Sequence, residues 1–248
     1  MTGAAIDARG LGKDFGSIRA LDRLDLEVRE AEFFACLGPN GAGKTTTVHL
    51  LATLLRPSRG TALVAGHDVR GDGLAVRRSI GLVFQETTLD RDLTAEENLR
   101  FAARLWNLPG RLAEPRIDAL LSQFGLDHRR RSAVRTLSGG ERRALDIARG
   151  MLHQPRVLFL DEPTAGLDPR ARRSLWELIR LQRTTLALTV FLTTHYVEEA
   201  EPCDRVAVLD RGRLAALGTP ADLKREAQVA SLEEVFFART GHPLGDRD

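Results

Sequence analysis

Phe33-Phe34-Ala35-Cys36-Leu37 runs directly into Gly38-Pro39-Asn40-Gly41-Ala42-Gly43-Lys44-Thr45-Thr46. A short apolar run, a glycine-rich turn and a helix-forming stretch predict a strand, a phosphate-binding loop and a helix, in that order. The glycines let successive backbone N–H groups turn toward one point, and the positive end of the following helix adds to that cradle. Lys44 is placed to hold β- and γ-phosphates, and the Thr45 hydroxyl to ligate Mg2+. Lys44 also stands out by composition. Lysine occurs only at positions 13, 44 and 224 among the 36 basic residues, so a compact ammonium stands here where the chain otherwise uses the planar guanidinium.

Upstream, Leu24, Leu26 and Val28 alternate with charged residues and predict a strand within Leu21–Leu37. Downstream, Thr45–Leu55 reads as a helix ended by Pro57 and Gly60, with Thr61–Val64 and Ile80–Phe84 as further strands. Val157–Leu160, Leu186–Thr194 and Arg205–Leu209 are continuous apolar runs of the kind that form buried parallel strands. From about Asp90 to Gln154 the texture is helical. Thr94 and Glu97 form a capping-box pattern, Leu99, Ala102, Ala103 and Trp106 follow at helical spacing, and Ile117–Phe124 and Glu141–Leu152 continue it. A last helix is expected over Ser231–Ala238, capped by Ser231 and Glu234, with Leu232, Val235 and Phe236 facing inward. There is no internal repeat.

A second chemical motif is Val157-Leu158-Phe159-Leu160-Asp161-Glu162. An apolar strand ending in two acids is a Walker B pattern: Asp161 supports Mg2+ and Glu162 orients or deprotonates the attacking water. Together the two motifs predict a nucleotide hydrolase.

Bulk properties narrow the setting. The 248 residues suffice for one large domain or two small ones, and 43% hydrophobic with 28% charged residues is ordinary for a globular protein. A net charge of +2 gives no push toward nucleic acid. Cys36 and Cys203 lie far apart in sequence, which argues against a disulfide framework and for a reducing compartment. Met1 to Leu11 carries no apolar core of signal-peptide length. The longest apolar stretches fall far short of the ~20 residues needed to cross a bilayer.

Leu137-Ser138-Gly139-Gly140-Glu141, just before a helix and shortly before the Walker B strand, resembles the signature sequence of ABC ATPases. The other motifs of that family follow in order: Phe15 resembles the A-loop aromatic, Gln85 the Q-loop, Ala165-Gly166-Leu167-Asp168 the D-loop and His195 the switch histidine. The resemblance covers about Ile6 to Leu223. It implies an α/β fold: a P-loop NTPase core with an N-terminal antiparallel β subdomain and an inserted helical subdomain over about 90–154. The whole would make one ATPase domain over 1–223, with a short helical extension over 224–248. It implies catalytic roles for Glu162, His195 and Gln85. ATP contacts would come from Phe15 and from Gly38 through Thr46, and Mg2+ contacts from Thr45, Gln85 and Asp161. It also implies a head-to-tail homodimer, in which Ser138, Gly139, Gly140 and Asp168 reach the ATP on the partner. Bland alternatives exist for single residues: Phe15 as core, Gln85 as a surface polar residue, His195 as a hydrogen-bonded structural histidine. His195 ends an apolar strand, a context the other five histidines lack. Two positions depart from the family pattern: Glu141 where glutamine is commoner, and Gly166 where serine or alanine is frequent.

At finer grain, Gly38–Thr47, Gly66–Val69, Leu192–Ala200 and Ser231–Gly241 resemble the daunorubicin-resistance-like branch of ABC-2-type exporters. That implies a separate multi-span membrane permease, contacted near Gln85 and Glu86–Leu99, and a place at the cytoplasmic face of the membrane. An importer subunit is a second reading. A third is an ABC ATPase acting on DNA or ribosomes, to which the basic run Arg129–Arg131 is the one pointer. The stretch from Gln85 to Leu137 is too short for the long coiled coil of chromosome-maintenance relatives and shows no sustained heptads.

Overall fold

The computed structural model describes residues 3–244, with the side chains of 182–186 excepted. In chain order the elements are β1 (Ala4–Phe15), β2 (Ile18–Arg29), β3 (Phe33–Leu37), α1 (Lys44–Leu51), β4 (Arg59–Val64), β5 (His67–Asp68), α2 (Gly73–Ser79) and β6 (Ile80–Val83). There follow α3 (Ala95–Leu105), α4 (Gly110–Gln123), α5 (Gly139–Met151), β7 (Val157–Asp161), α6 (Pro169–Leu186), β8 (Thr189–Thr194) and α7 (Val197–Ala200). The chain ends with β9 (Arg205–Asp210), β10 (Arg213–Gly218), α8 (Pro220–Ala227) and α9 (Leu232–Thr240). The strands form two sheets: an antiparallel one ordered β2-β1-β4-β5 and a six-stranded one ordered β10-β9-β3-β8-β7-β6. In the second, every pairing is parallel except β9 with β10.

The all-apolar strands are explained by their two covered faces. Along β3, Phe33, Ala35 and Leu37 enter a core shared with α3, α4 and α5, while Phe34 and Cys36 enter one shared with α1 and the antiparallel sheet. Leu158 and Leu160 of β7, and Val190 and Leu192 of β8, join the first core; Val157, Phe159 and Phe191 join the second. A strand sandwiched in this way has no polar face to display. β2, at the edge of the other sheet, buries Leu24, Leu26 and Val28 and exposes the charged residues between them, as the alternation predicts.

Several boundaries differ from expectation. The helix after the loop stops at Leu51 rather than Leu55, because Thr53 turns left-handed at φ 61°. The run Leu186–Thr194 divides: Leu186 closes α6, Ala187 reverses the chain at φ 48°, and β8 begins only at Thr189. The helix expected from Ile117 begins at Gly110. Both capping boxes form, Thr94 with Glu97 on α3 and Ser231 with Glu234 on α9. α9 buries Leu232, Val235 and Phe236 in the first core, each burial worth roughly 1.5–3 kcal/mol. The boundary expected after Leu223 falls inside α8, which itself buries Leu223; residues 245–248 lie outside the described residues. Both cysteines are buried thiols, and burial pushes the Cys36 thiol up to about 12. Among the described residues, no helix is long and apolar enough to cross a membrane.

Candidate active site

The carboxyl ends of β3, β7 and β8 meet at one crevice. The loop from Gly38 to Gly43 fills it and is fixed by its neighbours. A Cβ at Gly38 would lie 2.3 Å from the Leu209 carbonyl oxygen of β9, so only glycine fits. Gly43 has φ 102° and passes so close to β2 that a Cβ would come within 2.7 Å of the Ala20 carbonyl oxygen. The Gly38 N–H donates to Thr194 O (3.2 Å), the Ala42 N–H to Pro39 O (3.2 Å) and the Gly212 N–H to Ala42 O (3.0 Å). The loop is therefore clamped between the end of β8 and the β9–β10 turn. No side chain caps the N-terminus of α1, which leaves its first-turn N–H groups to the loop's concavity. Asn40, Gly41 and Thr45 are exposed on the rim, with Thr46 half-buried.

Lys44 is 4% exposed. Its Nζ donates to Gly38 O (2.8 Å) and Pro39 O (3.0 Å) and lies 3.0 Å from Glu162 Oε1. Two of the ammonium protons thus have carbonyl acceptors, and the Glu162 carboxylate stands beside the group at ion-pair distance. Asp161, at the end of β7, accepts on Oδ1 from the Thr45 hydroxyl (3.2 Å) and from the Thr193 hydroxyl. Glu162 adopts φ 46°, a left-handed conformation that costs a non-glycine residue about 1–3 kcal/mol and persists only where the surroundings enforce it. Here Thr193 enforces it, its carbonyl and hydroxyl oxygens each accepting from the Glu162 N–H at 3.1 Å. The turn swings the carboxylate out of the sheet's pleat and onto Lys44. His195 Nδ1 stands 3.2 Å from Glu162 Oε2, within ion-pair distance but off hydrogen-bond geometry.

Hard oxygens suit Mg2+, and Asp161 and Thr45 present a carboxylate and a hydroxyl side by side. Among the described residues no group of three His, Cys, Asp or Glu gathers to hold a metal alone. The one carboxylate and one hydroxyl of Asp161 and Thr45 suit an ion that keeps waters and takes its remaining ligands from phosphate oxygens.

Gln85 is exposed, two residues beyond the Val83–Leu160 pair of β6 and β7, and so at the same end of the sheet as Glu162. Its loop is held from α5. Arg143, 3% exposed, donates to Phe84 O (2.6 Å) and Gln85 O, and Arg149 donates to Thr88 O (2.8 Å). Asp146 lies between the two arginines. Burial pushes its carboxyl above the usual range, offset in part by Arg149 and Arg143. Arg143→Leu would strand two carbonyls and part of a buried charge. We expect it to lower stability by about 3 kcal/mol or more in urea unfolding, with faster amide exchange at 84–88.

Ser138 caps α5 in a capping box: its hydroxyl accepts from the Glu141 N–H (3.2 Å) and its N–H donates to Glu141 Oε2 (2.7 Å). Burial raises the Glu141 carboxyl, but the Ser138 bonds and Arg129, 3.3 Å away, outweigh it and hold it below the usual range. The unusual charge at position 141 is thus engaged locally. Asp168 caps α6, accepting from the Arg170 and Ala171 N–H groups at 2.9 Å each. Ser138, Gly140 and Asp168 line one shared depression that includes no residue of the Gly38–Thr46 loop. Phe15, at the end of β1, is 46% exposed, with Lys13 Nζ 5.1 Å over its ring. The structure therefore gathers Lys44, Thr45, Asp161, Glu162 and His195 into one cluster and sets Ser138, Gly139, Gly140 and Asp168 apart from it. Thr193 and Arg143 are the supports that motif reading missed. Thr193 directly precedes Thr194 and His195 in a strand whose register sets it opposite Asp161.

Residues 21–165 match the family described as ABC transporter. The chain belongs to that family. The ABC domain is 48% identical over 227 residues to the daunorubicin resistance ATP-binding protein DrrA3 of Streptomyces coeruleorubidus, covering 91% of this chain and 72% of that one. It is 45% identical over 226 residues to the doxorubicin resistance ATP-binding protein DrrA of Mycobacterium tuberculosis, covering 90% and 68%. A solved structure of an ATP-binding subunit of an ABC transporter superposes at TM-score 0.84 and 31% identity, over 95% of this chain and 99% of that one. CbiO1 of Clostridium perfringens, part of the ABC transporter complex cbiONQ, does so at 0.83 and 28%, over 96% of each. The fold expected from the motifs is the fold of these ABC ATPase domains.

Proposed function

We propose that this chain is the ATP-binding and ATP-hydrolysing subunit of an exporter that moves a drug, antibiotic, lipid or polysaccharide through a separate multi-span permease. One observation carries the chemistry: Lys44, Asp161, Glu162 and His195 converge beside one loop whose path requires glycine at positions 38 and 43. Gly38 through Thr46 take the phosphates, with Lys44 on the β- and γ-oxygens. Thr45, Asp161 and Gln85 serve Mg2+, which when bound draws charge off the phosphates. Glu162 takes the proton of the attacking water, His195 contacts the γ-phosphate, and Phe15 offers its open ring to adenine, a contact worth ~1–3 kcal/mol. Ser138, Gly139, Gly140 and Asp168 face outward, which supports a head-to-tail homodimer in which they complete the partner's site. Such closure would screen the γ-phosphate from water and surround it with oriented donors.

The resistance names of the relatives support export, and the chain would sit at the cytoplasmic face of the membrane through its permease. In the stretch Glu86–Leu99, Leu89, Ala95, Asn98 and Leu99 are buried in the chain's own core and are not free for contact. A neighbouring groove is a better seat for the permease: Leu54, Phe101, Leu105 and Trp106 are exposed along it, with Arg149 at its edge, the residue that also holds Thr88. The basic run offers nucleic acid little, because Arg129 is engaged with Glu141 and Arg130 with Asp118 and Glu96. The ATPase domain is taken as 1–223, with 224–248 as its extension.

Co-purification tests this reading. The Glu162→Gln protein, tagged in its native host and extracted in mild detergent with Mg-ATP, is expected to carry a multi-span protein in near-equal amount. Recovery with ribosomes or DNA instead would overturn it.

A further inference from the structure

Glu199 is a buried carboxylate in the Leu192–Ala200 stretch, with no role among the site residues above. It lies on α7, 1% exposed, beneath the catalytic crevice. Its Oε1 accepts from the Thr164 hydroxyl and its Oε2 from the Thr194 hydroxyl at 2.6 Å. Both threonines are 1% exposed, and among the described residues no cation pairs with the carboxylate. The two hydroxyls belong to different arms of the site. Thr164 is two residues past Glu162 on the segment that leaves β7, and Thr194 directly precedes His195 at the end of β8. Thr194 also accepts from the Tyr196 N–H at 2.9 Å, so it defines the turn on which His195 stands.

We propose that Glu199 is a positioning residue that fixes the Glu162 arm against the His195 arm during ATP hydrolysis. The inference rests on the roles proposed above for Glu162 and His195. Its physical basis is the number of acceptors. A carboxylate offers each arm its own oxygen, and both hydroxyls donate at once. Thr193 ties the same two strands through Asp161 and the Glu162 N–H, one residue earlier. The crevice is thus stitched on both sides, and removing one stitch frees the segments to shear. Glu162 is already in a conformation that needs enforcement. Phosphate binding runs chiefly through the Gly38–Thr46 loop, which meets this network only through the backbone bond from the Gly38 N–H to Thr194 O, a bond the Glu199 side chain does not make. A displacement of the base by a fraction of an ångström should therefore lower turnover and leave affinity alone.

The test compares steady-state kcat with equilibrium ATP affinity in the full chain. Glu199→Ala is expected to lower kcat about tenfold or more, with ATP affinity changed less than about threefold. Glu199→Gln should recover part of the loss, because its amide oxygen still accepts one hydroxyl while its NH2 cannot accept the other. If Glu199→Ala does not fold, the near-isosteric Thr164→Val carries the test by removing one donor, and Thr194→Val, which also removes the acceptor of the Tyr196 N–H, supports it; each is expected to lower kcat severalfold. Unchanged kcat in the foldable variants, or kcat and affinity falling together, overturns the proposal. Glu162→Gln in the same assay separates the two readings. If it still turns over ATP, the assignment of the base fails. If it is dead and Glu199→Ala keeps the kcat of the unaltered chain, only the positioning role fails.

Discussion

Glu162→Gln should bind Mg-ATP at least as tightly as the unaltered chain and turn it over about 10²–10⁴-fold more slowly. The substitution keeps the shape of the side chain and removes its basicity. In the structure the carboxylate has two neighbours that matter, Lys44 Nζ at 3.0 Å and His195 Nδ1 at 3.2 Å. The first makes the prediction more than a loss of base. Glu162 Oε1 pairs with the Lys44 ammonium, the charge proposed to meet a γ-phosphate oxygen. A neutral amide oxygen attracts the ammonium less strongly than a carboxylate, because the charge–charge attraction is gone. The nucleotide therefore competes with a weaker rival in the variant. Single-turnover hydrolysis and equilibrium binding, measured together, check both halves. Normal steady-state turnover would remove Glu162 from the base's role.

How much of this was legible beforehand depends on the range of the interaction. The strand-loop-helix at Phe33–Leu51 was readable because its signals are local: an apolar run, glycines at fixed spacing, then helix formers. The capping boxes at Thr94 and Ser231 were readable for the same reason, each lying within three residues. The end of α6 was not. Leu186–Thr194 is apolar throughout, and periodicity cannot separate the last turn of a helix from the first residues of a buried strand. What divides them is the left-handed turn at Ala187, a position with no glycine to announce it. Similarly, β1 and α2 left no periodic signal strong enough to be named. Within the site, the motif residues were identifiable one by one, but their supports were not. Arg143 reaches Phe84 and Gln85 across 58 or 59 positions of sequence. Thr193 reaches Asp161 across 32, and Glu199 reaches Thr164 across 35. Nothing short of the folded register places those groups together. The separation of the signature from the phosphate loop is likewise a property of the fold, and it is what supports a dimeric site.

Lys44→Ala should lose ATP affinity by about 10–10²-fold, the worth of one hydrogen bond to a charged group at ~1.5–3 kcal/mol. The apo protein should suffer as well. Lys44 is the cation that compensates Glu162, and both side chains are almost wholly buried, at 4% and 9% exposed. Removing one partner of such a pair leaves an uncompensated carboxylate and typically costs about 3–5 kcal/mol. The carbonyls of Gly38 and Pro39 would lose their donor at the same time. Loss of nucleotide binding in the single variant could therefore come from a missing phosphate contact or from a loop that no longer holds its shape. The double variant Lys44→Ala/Glu162→Gln separates them. With the carboxylate neutralised, the penalty for a lone buried charge is gone, so urea unfolding should show much of the stability restored. Affinity should stay low, because the ammonium that meets the phosphate is still missing. If affinity returned along with stability, Lys44 would be a structural residue of the loop and the phosphate contact would lie with the backbone alone. If neither returned, the pair at 3.0 Å would not be the interaction that holds the loop, and the three acceptors around Nζ would have to be weighed again with the carbonyls foremost.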